Sequence, residues 1–317
     1  MHRPERFRGL GVALVTPFRD DGSLDEPALE RFVERQVEEG TDFLVPCGTT
    51  GENPALSWDE HLRVVELTIR AARGARPVLA GAGSNSTPRA VDFARAAADL
   101  GADGILTITP YYNKPNPDGL VRHFGAQARA LEAAGSPLPM ILYNVPGRTG
   151  VNMTAETTLR IAHEIPAVIG VKEASANMEQ ILTILRRRPK GFLVLSGDDA
   201  WTLPIMAAGA DGVISVAGNE IPALMKEMVA AALGGDFDRA RSVHEKILPL
   251  MTGNFIDSNP VPVKAALKMM GVLESDAVRL PLAPIGDENR TKLKAILDEV
   301  VGTTKAGARE VPPASRR

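Results

Sequence analysis

The chain alternates short, mostly apolar runs with longer segments whose apolar residues recur every three or four positions. The runs near 11–16, 43–47, 77–81, 104–109, 139–144, 168–172, 192–196 and 212–216 are predicted strands, eight in all. Helices are predicted between them, and that alternation implies βα units and a parallel sheet. In the first helix Asp25 can act as cap, and Pro27 sits in the first turn, where a missing N–H is harmless. Leu29, Phe32, Val33 and Val37 share one face, and Gly40 ends the helix. The second helix opens on Ser57 and Glu60, a capping box. It continues through Leu62, Val65 and Ile69 on one face and stops at Gly74.

One junction recurs. Gly40-Thr41-Asp42-Phe43, Gly101-Ala102-Asp103-Gly104-Ile105 and Gly209-Ala210-Asp211-Gly212-Val213 each lead from a helix end into a strand. Glycine supplies the left-handed residue that closes such a helix. Eight βα repeats can close into a barrel or lie as an open doubly wound sheet. No G-x-G-x-x-G follows the first strand, so the open dinucleotide-binding sheet loses its main cue. The expected fold is therefore a (β/α)8 TIM barrel over residues 1–233. Helices near 220–233, 236–252, 261–271 and 288–301 supply the eighth barrel helix and a small C-terminal helical domain, 234–301. Residues 302–317 lack periodicity and are expected to be a disordered tail.

Composition narrows the function. Of 317 residues, 44% are hydrophobic and 24% charged, which suits a soluble globular enzyme. A net charge of −3 and 4% aromatic residues speak against nucleic acid and anionic membrane as partners. The single cysteine, Cys47, can build neither a disulfide framework nor a thiolate metal site, and fits a reducing, cytoplasmic compartment. The N-terminus lacks the apolar stretch of a signal peptide, and no run approaches a membrane span. The five histidines are scattered, none at metal-binding helical spacing, so no metal is expected.

In a barrel, chemistry belongs at the C-terminal ends of the strands. The sixth strand ends Val168-Ile169-Gly170-Val171-Lys172-Glu173. Alternation puts Val168, Gly170 and Lys172 on one face, with Gly170 leaving room beneath the amine. From this segment alone a lysine reaching solvent is the commoner case; the barrel context shifts the reading toward a nucleophile. An ordinary lysine is neutral in about one molecule in 2,500 at pH 7, so burial must lower its pKa before it can attack a carbonyl. The fifth strand ends in Tyr143, a possible proton relay one strand away, followed by Arg148 in a Pro/Gly-shaped loop that suits a carboxylate. A core tyrosine and a surface arginine are the plain alternatives. Gly48-Thr49-Thr50-Gly51-Glu52 after the second strand offers N–H groups and hydroxyls to a small carboxylate, or is an ordinary turn. Tyr111-Tyr112 after the fourth completes a site or packs an interface.

Together these segments resemble the dihydrodipicolinate synthase/N-acetylneuraminate lyase family. The similarity extends through Tyr143-Asn144-Val145-Pro146, Ser196-Gly197-Asp198-Asp199, Asn259-Pro260 and Arg279-Leu280-Pro281, in order from about Gly9 to Val301. Thr49-Thr50 and Arg148 point to the branch that condenses pyruvate with L-aspartate 4-semialdehyde on the way to diaminopimelate and lysine. Sialic-acid lyases usually carry Ser-Thr in the first loop and lack the arginine. The resemblance implies that Lys172 forms an imine with pyruvate and that Tyr143, Thr50 and Tyr112 relay protons, Tyr112 being donated across a dimer interface of a homotetramer. It implies that Thr49 and Thr50 hold the pyruvate carboxylate and Arg148 that of the semialdehyde. Main-chain carbonyls near Gly197 and Ile214 complete the pocket, and no cofactor is needed. Some members are inhibited by lysine between subunits, through an acidic residue. Here Arg89 stands at that place and Trp58 where a histidine is often found, although His61, Asn85 and Tyr111 match; weak or absent lysine feedback is expected. A sugar-acid aldolase on the same barrel, and a non-catalytic paralogue acting as a binding protein, are the alternatives.

Overall fold

The computed structural model describes residues 3–307. Its strands are β1 (Gly9–Ala13), β2 (Phe43–Val45), β3 (Leu79–Gly81), β4 (Gly104–Ile108), β5 (Met140–Asn144), β6 (Val168–Glu173), β7 (Leu193–Ser196) and β8 (Gly212–Ser215). All pairings are parallel, in the order β2-β1-β8-β7-β6-β5-β4-β3. The two ends of that order meet. Leu44 bridges Val78, Leu44 N–H donates to Pro77 O at 2.9 Å, and Gly81 N–H donates to Pro46 O at 2.9 Å. The sheet is thus the expected closed barrel, with at least one helix after every strand.

Phe43, Leu79, Leu106, Ile141, Leu193 and Ile214 fill the interior, and a larger apolar layer joins the outer strand faces to the helices. Helix Glu26–Glu38 starts at Asp25, whose side chain accepts from Ala28 N–H. Helix Trp58–Ala72 carries the full Ser57/Glu60 capping box. Its buried face is rotated from the one expected: Val64, Leu67 and Ala71 are buried beside Val65, while Leu62 and Ile69 are half-buried.

The repeated junction does more than turn the chain. Gly40, Gly101 and Gly209 have φ of +91°, +87° and +103°. The aspartate two residues on then accepts from the start of a neighbouring strand: Asp42 from Leu10 N–H (2.8 Å), Asp103 from Val78 N–H (2.8 Å), Asp211 from Val194 N–H (2.9 Å). Each also meets a cation, Lys226, Arg6 and Arg188 respectively. Three copies of one clamp therefore pin the N-terminal rim, opposite the end where chemistry belongs.

Three further expectations need correction. The first strand lies at Gly9–Ala13, not 11–16, because Val15 N–H leaves the ladder for the Asn219 side chain (3.1 Å) and the Thr16 hydroxyl donates to Gly51 O (2.8 Å). In β6 the register shifts between Met140 and Ile141, whose partners are Val168 and Gly170. This bulge adds one residue, so Ile169 rather than Val168 shares the barrel interior with Gly170 and Lys172. The last helix, expected near 288–301, spans Asp287–Gly307 and so enters the stretch expected to be disordered; 308–317 lie outside the described residues. The helices Phe237–Gly253, Val261–Met269 and Asp287–Gly307 share one continuous apolar core with the barrel's outer layer through Ile247, Leu267 and Leu293.

Candidate active site

Lys172 and Tyr143 face each other across β6 and β5, both inside the barrel near its C-terminal end. Lys172 is 5% exposed, and its Nζ lies 4.3 Å from the centroid of the Tyr143 ring. Burial holds the amine down to about 8; the Arg148 charge pushes the same way and the Asp199 carboxylate opposes both. At pH 7 about one molecule in ten then carries a neutral amine, roughly two hundred times the ordinary fraction. Burial pushes the Tyr143 phenol up, against the Arg148 charge and a hydrogen bond with the Thr49 hydroxyl, so it is a protonated donor at neutral pH.

The residue after Lys172 fixes this pair. Glu173 points out of the barrel and is buried, where its carboxylate accepts from Asn144 Nδ2 (3.1 Å), Ser175 N–H (2.8 Å) and Gln180 Nε2 (3.0 Å). Asn144 ends β5 and Glu173 ends β6, so the bond clamps the two strand ends that present Tyr143 and Lys172. Clearance for the lysine comes from Gly197. A Cβ there would lie 3.1 Å from Lys172 Cε, whereas one at Gly170 would meet Leu193, at 2.8 Å from its Cβ and its carbonyl oxygen. The room expected from Gly170 therefore serves β7 packing instead. Ile214, 1% exposed, stands in the interior on β8.

A cavity of about 260 Å³ opens beside the pair, walled by Thr49, Tyr111, Tyr143, Arg148 and Thr149 among others. Lys172 is not part of that wall; Tyr143 borders both cavity and amine. Arg148 sits exposed on the short helix Pro146–Thr149 and forms no ion pair among the described residues. Thr149, next to it, is locked by its hydroxyl to Val145 O (3.1 Å) and Val151 O (3.0 Å), which fixes the loop beneath the guanidinium.

The loop after β2 divides its threonines. Thr49 is half-buried and reaches the phenol, while Thr50, 2% exposed, accepts from Asn259 Nδ2 at 3.0 Å. It is therefore the Thr49 hydroxyl, rather than that of Thr50, that lies beside the Tyr143 phenol within this chain. Among the described residues neither Thr49 N–H nor Thr50 N–H has a hydrogen-bond partner, so both can serve an anion. Glu52 closes the loop at φ +53° and forms a fully buried ion pair with Lys264 (2.7 Å), and its other oxygen accepts from Arg279 N–H (2.9 Å). Tyr112 does not reach this pocket within its own chain: it is 86% exposed, at φ +74°. Reading the sequence missed the roles of Asp199, Glu173 and Asn259. Asp199 and Asn259 were visible only as parts of the Ser196-Gly197-Asp198-Asp199 and Asn259-Pro260 segments, and nothing there gave the partner of Asn259, which lies 209 residues away.

The Cys47 thiol is buried, and burial pushes its pKa far up, which removes it as a nucleophile. Among the described residues no group of three His, Cys, Asp or Glu side chains is placed to hold a metal, and no helix is long and apolar enough to cross a membrane.

Comparison with known proteins agrees with this geometry. A 4-hydroxy-tetrahydrodipicolinate synthase of Koribacter versatilis is 51% identical over 295 residues, covering 93% of this chain and 96% of its own. A dihydrodipicolinate synthase from Aquifex aeolicus superposes with a TM-score of 0.88 at 44% identity, covering 92% of this chain and 97% of its own. A structure described as the first monomeric dihydrodipicolinate synthase variant gives 0.90 at 40% identity, covering 94% and 98%. Residues 6–300 match the Dihydrodipicolinate synthetase family, and the chain belongs to it.

Proposed function

We propose that this chain catalyses the reaction of a 4-hydroxy-tetrahydrodipicolinate synthase, condensing pyruvate with L-aspartate 4-semialdehyde in the cytoplasm, on the route to diaminopimelate and lysine. The observation that carries the reading is Lys172: an amine buried inside the barrel, held down to about 8, facing a protonated phenol. A neutral amine adds to the pyruvate ketone; loss of water gives the imine, and loss of a methyl proton gives the enamine. The enamine carbon adds to the aldehyde carbon of the semialdehyde, whose C=O π bond breaks as the oxygen takes up a proton and becomes a hydroxyl. The amine of that substrate then displaces Lys172 from the imine, closing the ring and freeing the lysine.

Each proton transfer needs a donor and acceptor within hydrogen-bond reach. Tyr143 supplies the phenol beside the amine, and the Thr49 hydroxyl connects it to the carboxylate loop. Tyr112 serves the relay from a neighbouring subunit: its exposure supports donation outward, in a homo-oligomer we take to be a tetramer. The unpaired N–H groups of Thr49 and Thr50 suit the pyruvate carboxylate, and Gly197 and Ile214 close the floor around the imine. The free Arg148 guanidinium at the cavity wall suits the semialdehyde carboxylate in bidentate form, and this favours the synthase over a sugar-acid aldolase.

Borohydride reduction with pyruvate tests the reading. The expected product is a pyruvate-derived adduct on Lys172, found by peptide mass spectrometry and missing from Lys172→Ala. Lys172 left unmodified under these conditions, or a sugar-acid aldehyde consumed in preference to the semialdehyde, overturns it.

A further inference from the structure

The threonine hydroxyl at the carboxylate loop is oriented from the far end of the chain. Asn259 is 6% exposed and lies just before helix Val261–Met269. Its Nδ2 donates to Thr50 Oγ1 at 3.0 Å, and its Oδ1 has no partner among the described residues. A threonine hydroxyl has one proton to give. With a lone pair taken by the Asn259 amide, that proton is free to turn toward another acceptor. A carboxylate can only accept. The opposite amide orientation would have Thr50 donate to Asn259, taking its proton away from the anion.

We propose that Asn259 is a positioning residue for substrate binding: by donating to Thr50 it makes the Thr50 hydroxyl a dedicated donor to the carboxylate of the 2-oxo acid. The proposal rests on the reading that this loop holds that carboxylate. A second tether holds the same loop in place from the same region of the chain, for Lys264 pairs with Glu52 two residues beyond Thr50. The loop is therefore fixed at Thr50 by a directional hydrogen bond and at Glu52 by a buried charge pair. Only the first dictates where a proton points.

Asn259→Asp imposes the opposite orientation at nearly constant shape, because an ionised carboxylate accepts from Thr50 and cannot donate to it. The assay is steady-state kinetics of four proteins: the unmodified chain, Asn259→Asp, Thr50→Val and the double variant. The pyruvate KM of Asn259→Asp should rise roughly tenfold or more, with kcat and the semialdehyde KM within about threefold. In the Thr50→Val background the same substitution should add less than about twofold, because its effect passes through Thr50. The gap to the unmodified chain should also narrow as pH falls, since a protonated carboxyl can donate again. An unchanged pyruvate KM overturns the proposal, and so does an equal rise in both backgrounds, which marks a structural or purely Coulombic effect. If Asn259→Asp does not fold, Asn259→Leu enters the same cycle under the same criteria. Failure of borohydride trapping in the unmodified chain overturns the underlying imine reading; intact trapping with an unaltered pyruvate KM in the variants overturns Asn259 alone.

Discussion

Burying a lysine amine inside a barrel costs stability, and the size of that cost follows from its titration. An ordinary lysine titrates near 10.4. Lys172 is held down to about 8. Below about pH 8 the folded chain carries the proton in a place that disfavours it, at a cost of roughly 3 kcal/mol. Between about 8 and 10.4 the folded lysine is increasingly neutral while the unfolded one stays charged. The unfolded state then binds more protons, so stability rises with pH and the penalty fades. Lys172→Met keeps the length of the side chain and carries no charge. It should stabilise the chain by about 3 kcal/mol at pH 7 and by little at pH 10, while abolishing imine formation. Urea unfolding of both proteins at the two pH values, read as a difference of differences, checks this. A variant no more stable than its parent at pH 7, or equally stabilised at both pH values, would refute the claim that burial depresses the amine.

Three further outcomes are expected. Gly197→Ala puts a methyl 3.1 Å from Lys172 Cε and 2.7 Å from Ala174 Cβ. It should slow borohydride trapping at least about tenfold with the fold intact, and trapping within twofold of the parent would remove the clearance role. Lys264→Met leaves the Glu52 carboxylate buried without its cation, so unfolding free energy should fall by about 3–5 kcal/mol, with partial recovery when Glu52→Gln is added; denaturant titration reads both. Arg89 is exposed in the first turn of the helix Thr87–Asp99, its guanidinium 5.5 Å from the Phe93 ring, and it adds to the burial that holds His61 down to about 4. A site lined by that cation repels a lysine side chain, so inhibition by sub-millimolar lysine should be absent in a steady-state assay.

The barrel was legible because its signals are local. Apolar runs, helix caps at Asp25 and Ser57, and the Gly-x-Asp junctions each lie within a few residues, and all eight strands formed where those cues placed them to within three residues at either end. The placement of Lys172 and Tyr143 side by side at the ends of neighbouring strands followed from the same local cues. The bulge in β6 was not legible. Its apolar residues suit either face, and only pairing with β5 decides which of Val168 and Ile169 turns inward. Nor could adjacent Thr49 and Thr50 be told apart, because their roles depend on the phenol one meets and the amide the other meets. The Asp42, Asp103 and Asp211 clamps repeat in plain view, yet their partners are strand N–H groups that any residue would supply.

The three tethers on the loop after β2 have a consequence for when the enzyme becomes competent. Asn259 reaches Thr50 across 209 residues, Lys264 reaches Glu52 across 212, and Arg279 reaches it across 227. A chain emerging from the ribosome can begin pairing its strands long before these residues exist. Its loop after β2, however, stays unanchored until the region containing 259–279 has docked. A late part of the chain thus fixes a loop near its beginning, and a nascent barrel is a scaffold whose loop after β2 has yet to be set.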